Sequence, residues 1–135
     1  MKLPENIKIY GDLTHRDKKC PKESAEQITF FNELRKKYPH VAKCAAHMRN
    51  EGKRTIHQAS KEKAEGMNAG FADIVIAGCP TLLIELKRRD HTLSTIGNEQ
   101  LEHLLAAQSI GAKVCVALGW EAAMRAVEEW LSAAR

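Results

Sequence analysis

Hydrophobic positions recur along this chain at two spacings, one helical and one alternating. Ile28, Phe31, Leu34 and Tyr38 fall at helical intervals and predict a helix from about Glu23 to Tyr38, with Pro39 ending it. Ser24 with Gln27 offers a capping box near its start. Val41–Met48 reads as a strand, Arg49–Thr55 as a polar, basic loop, and Ile56–Glu65 as a short helix stopped by Gly66. After a turn rich in small residues, Asp73–Ala77 and Thr81–Lys87 form two apolar runs around Gly78-Cys79-Pro80, which is the pattern of a hairpin. A polar loop, His91–Asn98, leads to a helix over Glu99–Ile110 closed by Gly111. Ala112–Leu118 is apolar apart from Lys113, as a strand buried on both faces requires. Trp120–Ala134 reads as a terminal helix with Ala123, Val127, Trp130 and Leu131 inward. Residues ahead of Glu23 read as an extended arm, with a short strand at Ile7–Tyr10.

This order predicts a three-layer α/β core with a mixed sheet of about four strands between helices, in one domain over residues 23–135 behind an arm at 1–22. A chain of 135 residues, 44% hydrophobic, can bury such a core; at 5% aromatic, aliphatic side chains and alanine must fill most of it. No apolar run approaches the roughly 20 residues of a membrane span, and the N-terminus lacks a signal-peptide pattern. Cys20, Cys44, Cys79 and Cys115 form no C-x-x-C pair and suit reduced thiols in a cytosolic protein. The net charge of +4 permits an anionic partner without requiring one. Its distribution adds more, because basic residues cluster at 49–54 and 87–89.

Candidate chemistry centres on the hairpin. Asp73 opens its first strand, while Glu85 and Lys87 end the second on one face. With a three-residue turn Asp73 lies directly opposite Glu85, the β-carbons about 5 Å apart. Two carboxylates so placed beside apolar strands repel each other, and a hard divalent ion such as Mg²⁺ relieves the conflict. The Leu86 carbonyl adds a possible third oxygen, and Lys87 is placed to orient or deprotonate a water or to stabilise phosphate charge. On spacing alone the Asp-Glu-Lys pattern is a weak signal, since Glu85 and Lys87 also read as a plain ion pair on one strand.

The wider order is more specific. Glu23 and Gln27, His47 and Asn50, Gly66, Gly70-Phe71-Ala72-Asp73, Glu85-Leu86-Lys87, Ser94, Gln100 and Gly111 together resemble the virus-type replication–repair nuclease (VRR-Nuc) domain of the PD-(D/E)xK nuclease superfamily. The resemblance spans about Glu23 to Leu131 and implies a restriction-endonuclease-like core. It implies that Asp73 and Glu85 coordinate Mg²⁺ or Mn²⁺, that Lys87 is the lysine of the E-x-K motif, and that Gln100 points at the site. It also implies a glutamate from the first helix. Glu23 and Glu26 both qualify, and Glu23 is preferred because Glu26 is expected on the polar face with Glu33. The family usually has proline before the aspartate, where this chain has Ala72, a change that bears on loop rigidity more than on chemistry.

His47 and Asn50 match a polar pair placed to touch the scissile phosphate, or else His47 merely finishes a strand. Arg49, Lys53, Arg54 and Arg88, with Arg89 beside it, are candidate phosphate contacts or solvated surface. Trp120 and Trp130 read as core or interface anchors, and His57, His91 and His103 show no ligand spacing. The implied activity is a metal-dependent DNA endonuclease acting on branched DNA, as a homodimer, of phage or prophage origin in a bacterial cytoplasm. The arm and the terminal helix with its tryptophans are candidate dimer surfaces. The alternatives are a catalytically idle DNA- or partner-binding module, and a flap, nicking or restriction-like nuclease.

Overall fold

In the computed structural model, residues 1–48 and 55–133 are described. The elements are β1 (Lys8–Tyr10), α1 (Glu23–Lys37), α2 (Pro39–Lys43), β2 (Ala45–His47), α3 (Ile56–Ala64), β3 (Ile74–Ile76), β4 (Leu82–Lys87), α4 (Asn98–Ser109), β5 (Lys113–Leu118) and α5 (Trp120–Ala133), with one 3-10 turn at His91–Leu93. The strands form one mixed sheet in the order β1-β5-β4-β3-β2. β1, β5 and β4 are parallel, and β3 and β2 continue antiparallel.

Alternation along β4 sets the layers. Leu82, Ile84 and Leu86 face α1 and α5, in a core with Phe30, Leu34, Cys115, Val127 and Trp130. Leu83 faces the other way, into a second core with Val114, Val116, Leu118 and Leu104 of α4. All six residues of β4 are buried, Glu85 and Lys87 included. A strand covered on both faces that still carries two charges at one end must satisfy them locally.

The three-layer mixed architecture is as the periodicity predicts, with one more strand. β1 extends the sheet beyond β5, and Ile7, Tyr10 and Cys20 are buried, so residues 1–22 belong to the folded body. Val41–Met48 is not one strand: Pro39 starts α2, and only Ala45–His47 pairs with β3. Proline's fixed φ suits the first turn of a helix as well as it stops a preceding one. α1 buries Glu26, Phe30 and Leu34, whereas Ile28 is 64% exposed. The inward stripe is therefore rotated from the one read from the sequence, because Glu26 has a cation to meet inside. Lys22, without a capping side chain, precedes α1 in place of a Ser24 box, while Thr55 and Gln58 do form a capping box on α3. Trp130 is buried, its indole N–H donating to the Pro80 carbonyl at 2.8 Å, and Trp120 packs against the core. Both are core anchors. Of the arm, Ile7, Tyr10 and Cys20 are used within the fold, while residues 11–19 are exposed.

Candidate active site

The site lies at the end of β4 where the chain leaves the sheet. The β3–β4 register pairs Ile74 with Ile84, so the next step sets Asp73 against Glu85 on the α4 side. Asp73 Oδ2 accepts a 2.8 Å hydrogen bond from the Leu86 N–H, which fixes the carboxylate over the strand end. The Asp73 carbonyl accepts from the Met48 N–H at 2.9 Å and lies 3.0 Å from His47 Nδ1. His47 is thereby tied to the backbone of the acid it precedes in space, with its side chain otherwise exposed.

Glu85 is 1% exposed. Its Oε1 accepts from Gln100 Nε2 at 3.2 Å and lies 3.7 Å from Lys87 Nζ. Its Oε2 is buried and has no hydrogen-bond donor among the described residues. Burial, and then the charge of Asp73, push the Glu85 carboxyl far above the usual carboxylate range. Gln100 is held in turn, its Oε1 accepting from the Gly97 N–H at 2.8 Å. The approach of α4 depends on Gly70: a β-carbon there would sit 2.4 Å from the Glu99 carbonyl oxygen. Ala72, where the resembled family has proline, is fully buried beside it.

Lys87 is 4% exposed, with Nζ 4.0 Å from Glu23 Oε1. Glu23 is the first residue of α1, and its Oε2 accepts from Ser94 Oγ at 3.1 Å. Ser94 Oγ also accepts from the Arg88 N–H at 3.2 Å, which links the strand end to the helix-one acid. Glu26 is elsewhere: it is 2% exposed and pairs with Arg89 at 3.0 Å, not on the polar face with Glu33. Of the two candidates, Glu23 is the one beside Lys87.

Glu23, Asp73, Glu85, Lys87 and Gln100 are therefore brought together. Arg88 is not presented as a free cation. Its guanidinium donates to the carbonyls of Cys20 and Pro21, at 2.5 and 3.2 Å, and straps the N-terminal segment to the strand end. Arg89 is likewise occupied, by Glu26 and Glu121. Arg49, Asn50, Lys53 and Arg54 lie outside the described residues. The hydroxyl link through Ser94 has no periodicity behind it. Its sequence signal is its place in the motif order, in the polar loop six residues before Gln100.

The donor set fits a hard divalent cation. Two opposed carboxylates, one with an orphaned buried oxygen, form a site of excess negative charge that a cation would balance. Among the described residues no three acidic, imidazole or thiolate groups converge on a metal position. Such an ion would take two side chains and fill its shell with backbone, water or phosphate oxygens, as Mg²⁺ ordinarily does. Leu86 is suited to supply one, since the N–H and C=O of a strand residue leave the same edge and its N–H already meets Asp73.

These features define a three-layer α/β core with an acidic centre at the edge of a β-hairpin. A solved structure described as "VRR_NUC domain protein" shares that core: it superposes with a TM-score of 0.70 at 21% identity, over 84% of this chain and 91% of the other. The likeness covers most of both chains and supports, at the level of the fold, the VRR-Nuc resemblance drawn from the motifs. No family model matches the chain, and no curated protein does.

Proposed function

We propose that this chain is a divalent-metal-dependent endonuclease that hydrolyses phosphodiester bonds in DNA. The observation that carries the reading is the Asp73–Glu85 pair, with the unpartnered Glu85 Oε2 and the buried Lys87 ammonium 3.7 Å from the same carboxylate. Asp73, Glu85 and the Leu86 carbonyl would hold Mg²⁺ or Mn²⁺. Such an ion lowers the pKa of water and offsets charge on a phosphate.

The chain's own residues supply the rest. Gln100 holds Glu85 in place by a hydrogen bond to Oε1. Lys87 offers N–H groups to a phosphate oxygen or to the attacking water, where negative charge develops. Glu23 anchors Lys87 and, on the opposite side, meets Ser94. His47 ends β2 beside the Asp73 carbonyl, where it would meet the DNA backbone, and Arg49, Asn50, Lys53 and Arg54, which follow it in sequence, are proposed as further phosphate contacts. An idle binding module would have no need for two opposed carboxylates, since replacing either by an amide would relieve the repulsion.

Branched DNA is the proposed substrate, and paired cuts at a four-way junction would need two copies of this single site. The test is cleavage of four-way junctions, flaps, single strands and linear duplex, with EDTA, Mg²⁺ or Mn²⁺, alongside sedimentation of the protein. Metal-dependent cuts that are lost in Asp73→Ala support the reading. Absence of cleavage on every substrate with either metal would overturn it. A cutting monomer would leave a flap or nicking enzyme.

A further inference from the structure

We propose that Lys18, Lys19 and Lys22 form a contact track for DNA phosphates on the α1 side of the active site, distinct in sequence from the basic segment at 49–54. The inference rests on the nuclease reading and adds where a second stretch of backbone lies.

The segment is rigidly placed. The Arg88 guanidinium holds the carbonyls of Cys20 and Pro21, and the Asp17 N–H donates to Asp90 Oδ2 at 3.0 Å. Asp90 is 2% exposed and Cys20 is 4% exposed, so both anchors are inside the protein. Arg88 follows Lys87 directly, Asp90 is three residues beyond it, and Lys22 immediately precedes Glu23. Residues 17–22 are thus strapped along the edge of the catalytic cluster.

The charges on this strap are unbalanced. Lys18, Lys19 and Lys22 are exposed, and among the described residues none has a carboxylate partner. The one acid of the segment, Asp17, accepts from the Lys19 N–H instead. At the far end of α1 the pattern reverses, with Lys36 paired to Glu33 and Lys37 to Glu128. Within α1 itself the charges follow the dipole, with Glu23 and Glu26 in the first turn and Arg35, Lys36 and Lys37 in the last, so Lys22 just ahead of it is the exception. A cation at a helix N-terminus opposes the helix dipole, and Lys22 occupies the capping position without giving a capping bond. Three unpaired cations at the positive end of a helix, beside a site for phosphodiesters, fit a polyanion there.

The test uses the full chain carrying Asp73→Asn, so that DNA is bound and not cut. Lys18→Ala, Lys19→Ala and Lys22→Ala are combined, and Lys36→Ala with Lys37→Ala serves as the charge control. Binding to a fluorescein-labelled four-way junction is followed by anisotropy across a salt series. The track predicts a loss of about 2 to 3 units from the slope of log K against log salt, and a roughly 10- to 100-fold weaker Kd near 0.1 M salt, with little change in the control. A melting temperature within about 2 °C of the parent is expected for exposed side chains. An unchanged slope and Kd in the triple variant, or equal losses in the control, would overturn the track alone. A parent that binds no DNA would overturn the track and the nuclease reading together.

Discussion

Asp73 and Glu85 face each other one step beyond the Ile74–Ile84 pair, and the Leu86 N–H, 2.8 Å from Asp73 Oδ2, prevents the aspartate from turning away. Glu85 is walled in by α4 and the sheet, with one oxygen lacking a donor among the described residues. The two carboxylates therefore cannot both be ionised cheaply unless a cation lies between them, and this conflict determines how the protein should respond to pH, metal and mutation.

Consider pH first. In the metal-free chain the Glu85 carboxyl is raised from 4.5 to about 9, by burial and then by Asp73. A folded-state pKa above the unfolded value means the folded state binds the extra proton between those limits. Stability is then fully present below the unfolded pKa and falls as pH rises through the folded one. The slope is at most about 1.4 kcal/mol per pH unit. Urea denaturation in EDTA from about pH 5 to about pH 9 should show this decline in the wild type, and Glu85→Gln should flatten it. Equal slopes in the two proteins would refute the assignment.

Metal should act in the opposite sense. Saturating Mg²⁺ or Mn²⁺ should raise the melting temperature at neutral pH, with a stabilisation near 2.7 kcal/mol at about 100 times Kd. Asp73→Asn and Glu85→Gln should lose most of that increment while folding as well as, or better than, the metal-free wild type. Calorimetric scans with and without the ion decide the matter.

Lys87 should separate binding from rate. Lys87→Ala removes an ammonium acting where charge develops, so the single-turnover cleavage rate should fall by at least about 100-fold. Junction affinity should change by less than about 5-fold, since one phosphate contact at most is lost. A variant that cuts normally, or that loses affinity as steeply as rate, would contradict the proposed role.

Away from the chemistry, Arg89 and Gly119 should matter for stability. Arg89 joins Glu26 of α1 to Glu121 of α5, and the Gly119 N–H donates to the Lys87 carbonyl at 2.9 Å. Arg89→Ala leaves Glu26 buried without its cation and should cost roughly 2–3 kcal/mol, less than a fully buried pair because Arg89 is partly exposed. Gly119→Ala should cost a similar 1–3 kcal/mol: its φ is +92°, and a β-carbon would lie 2.6 Å from Glu26 Oε2. Chemical denaturation measures both. A change below about 0.5 kcal/mol in either would show that this junction can relax.

How much of this was legible beforehand differs by scale. Local patterns carried the hairpin, because apolar runs around Gly78-Cys79-Pro80 determine both its length and its register, and with them the opposition of Asp73 and Glu85. The terminal helix and β5 were equally plain, since periodicity and unbroken apolar runs depend on nearest neighbours along the chain. Tertiary structure decided what depends on distant partners. β1 joins β5 across more than a hundred residues of sequence, and no local signal says which edge will receive it. Glu26 is inside because Arg89 comes to meet it, and the Arg88 guanidinium is occupied because the carbonyls of Cys20 and Pro21 lie beside it. A charged side chain on one helix turn looks the same in sequence whether it faces water or a buried counter-charge. Its solvation is determined by elements that reach it only when the chain has folded.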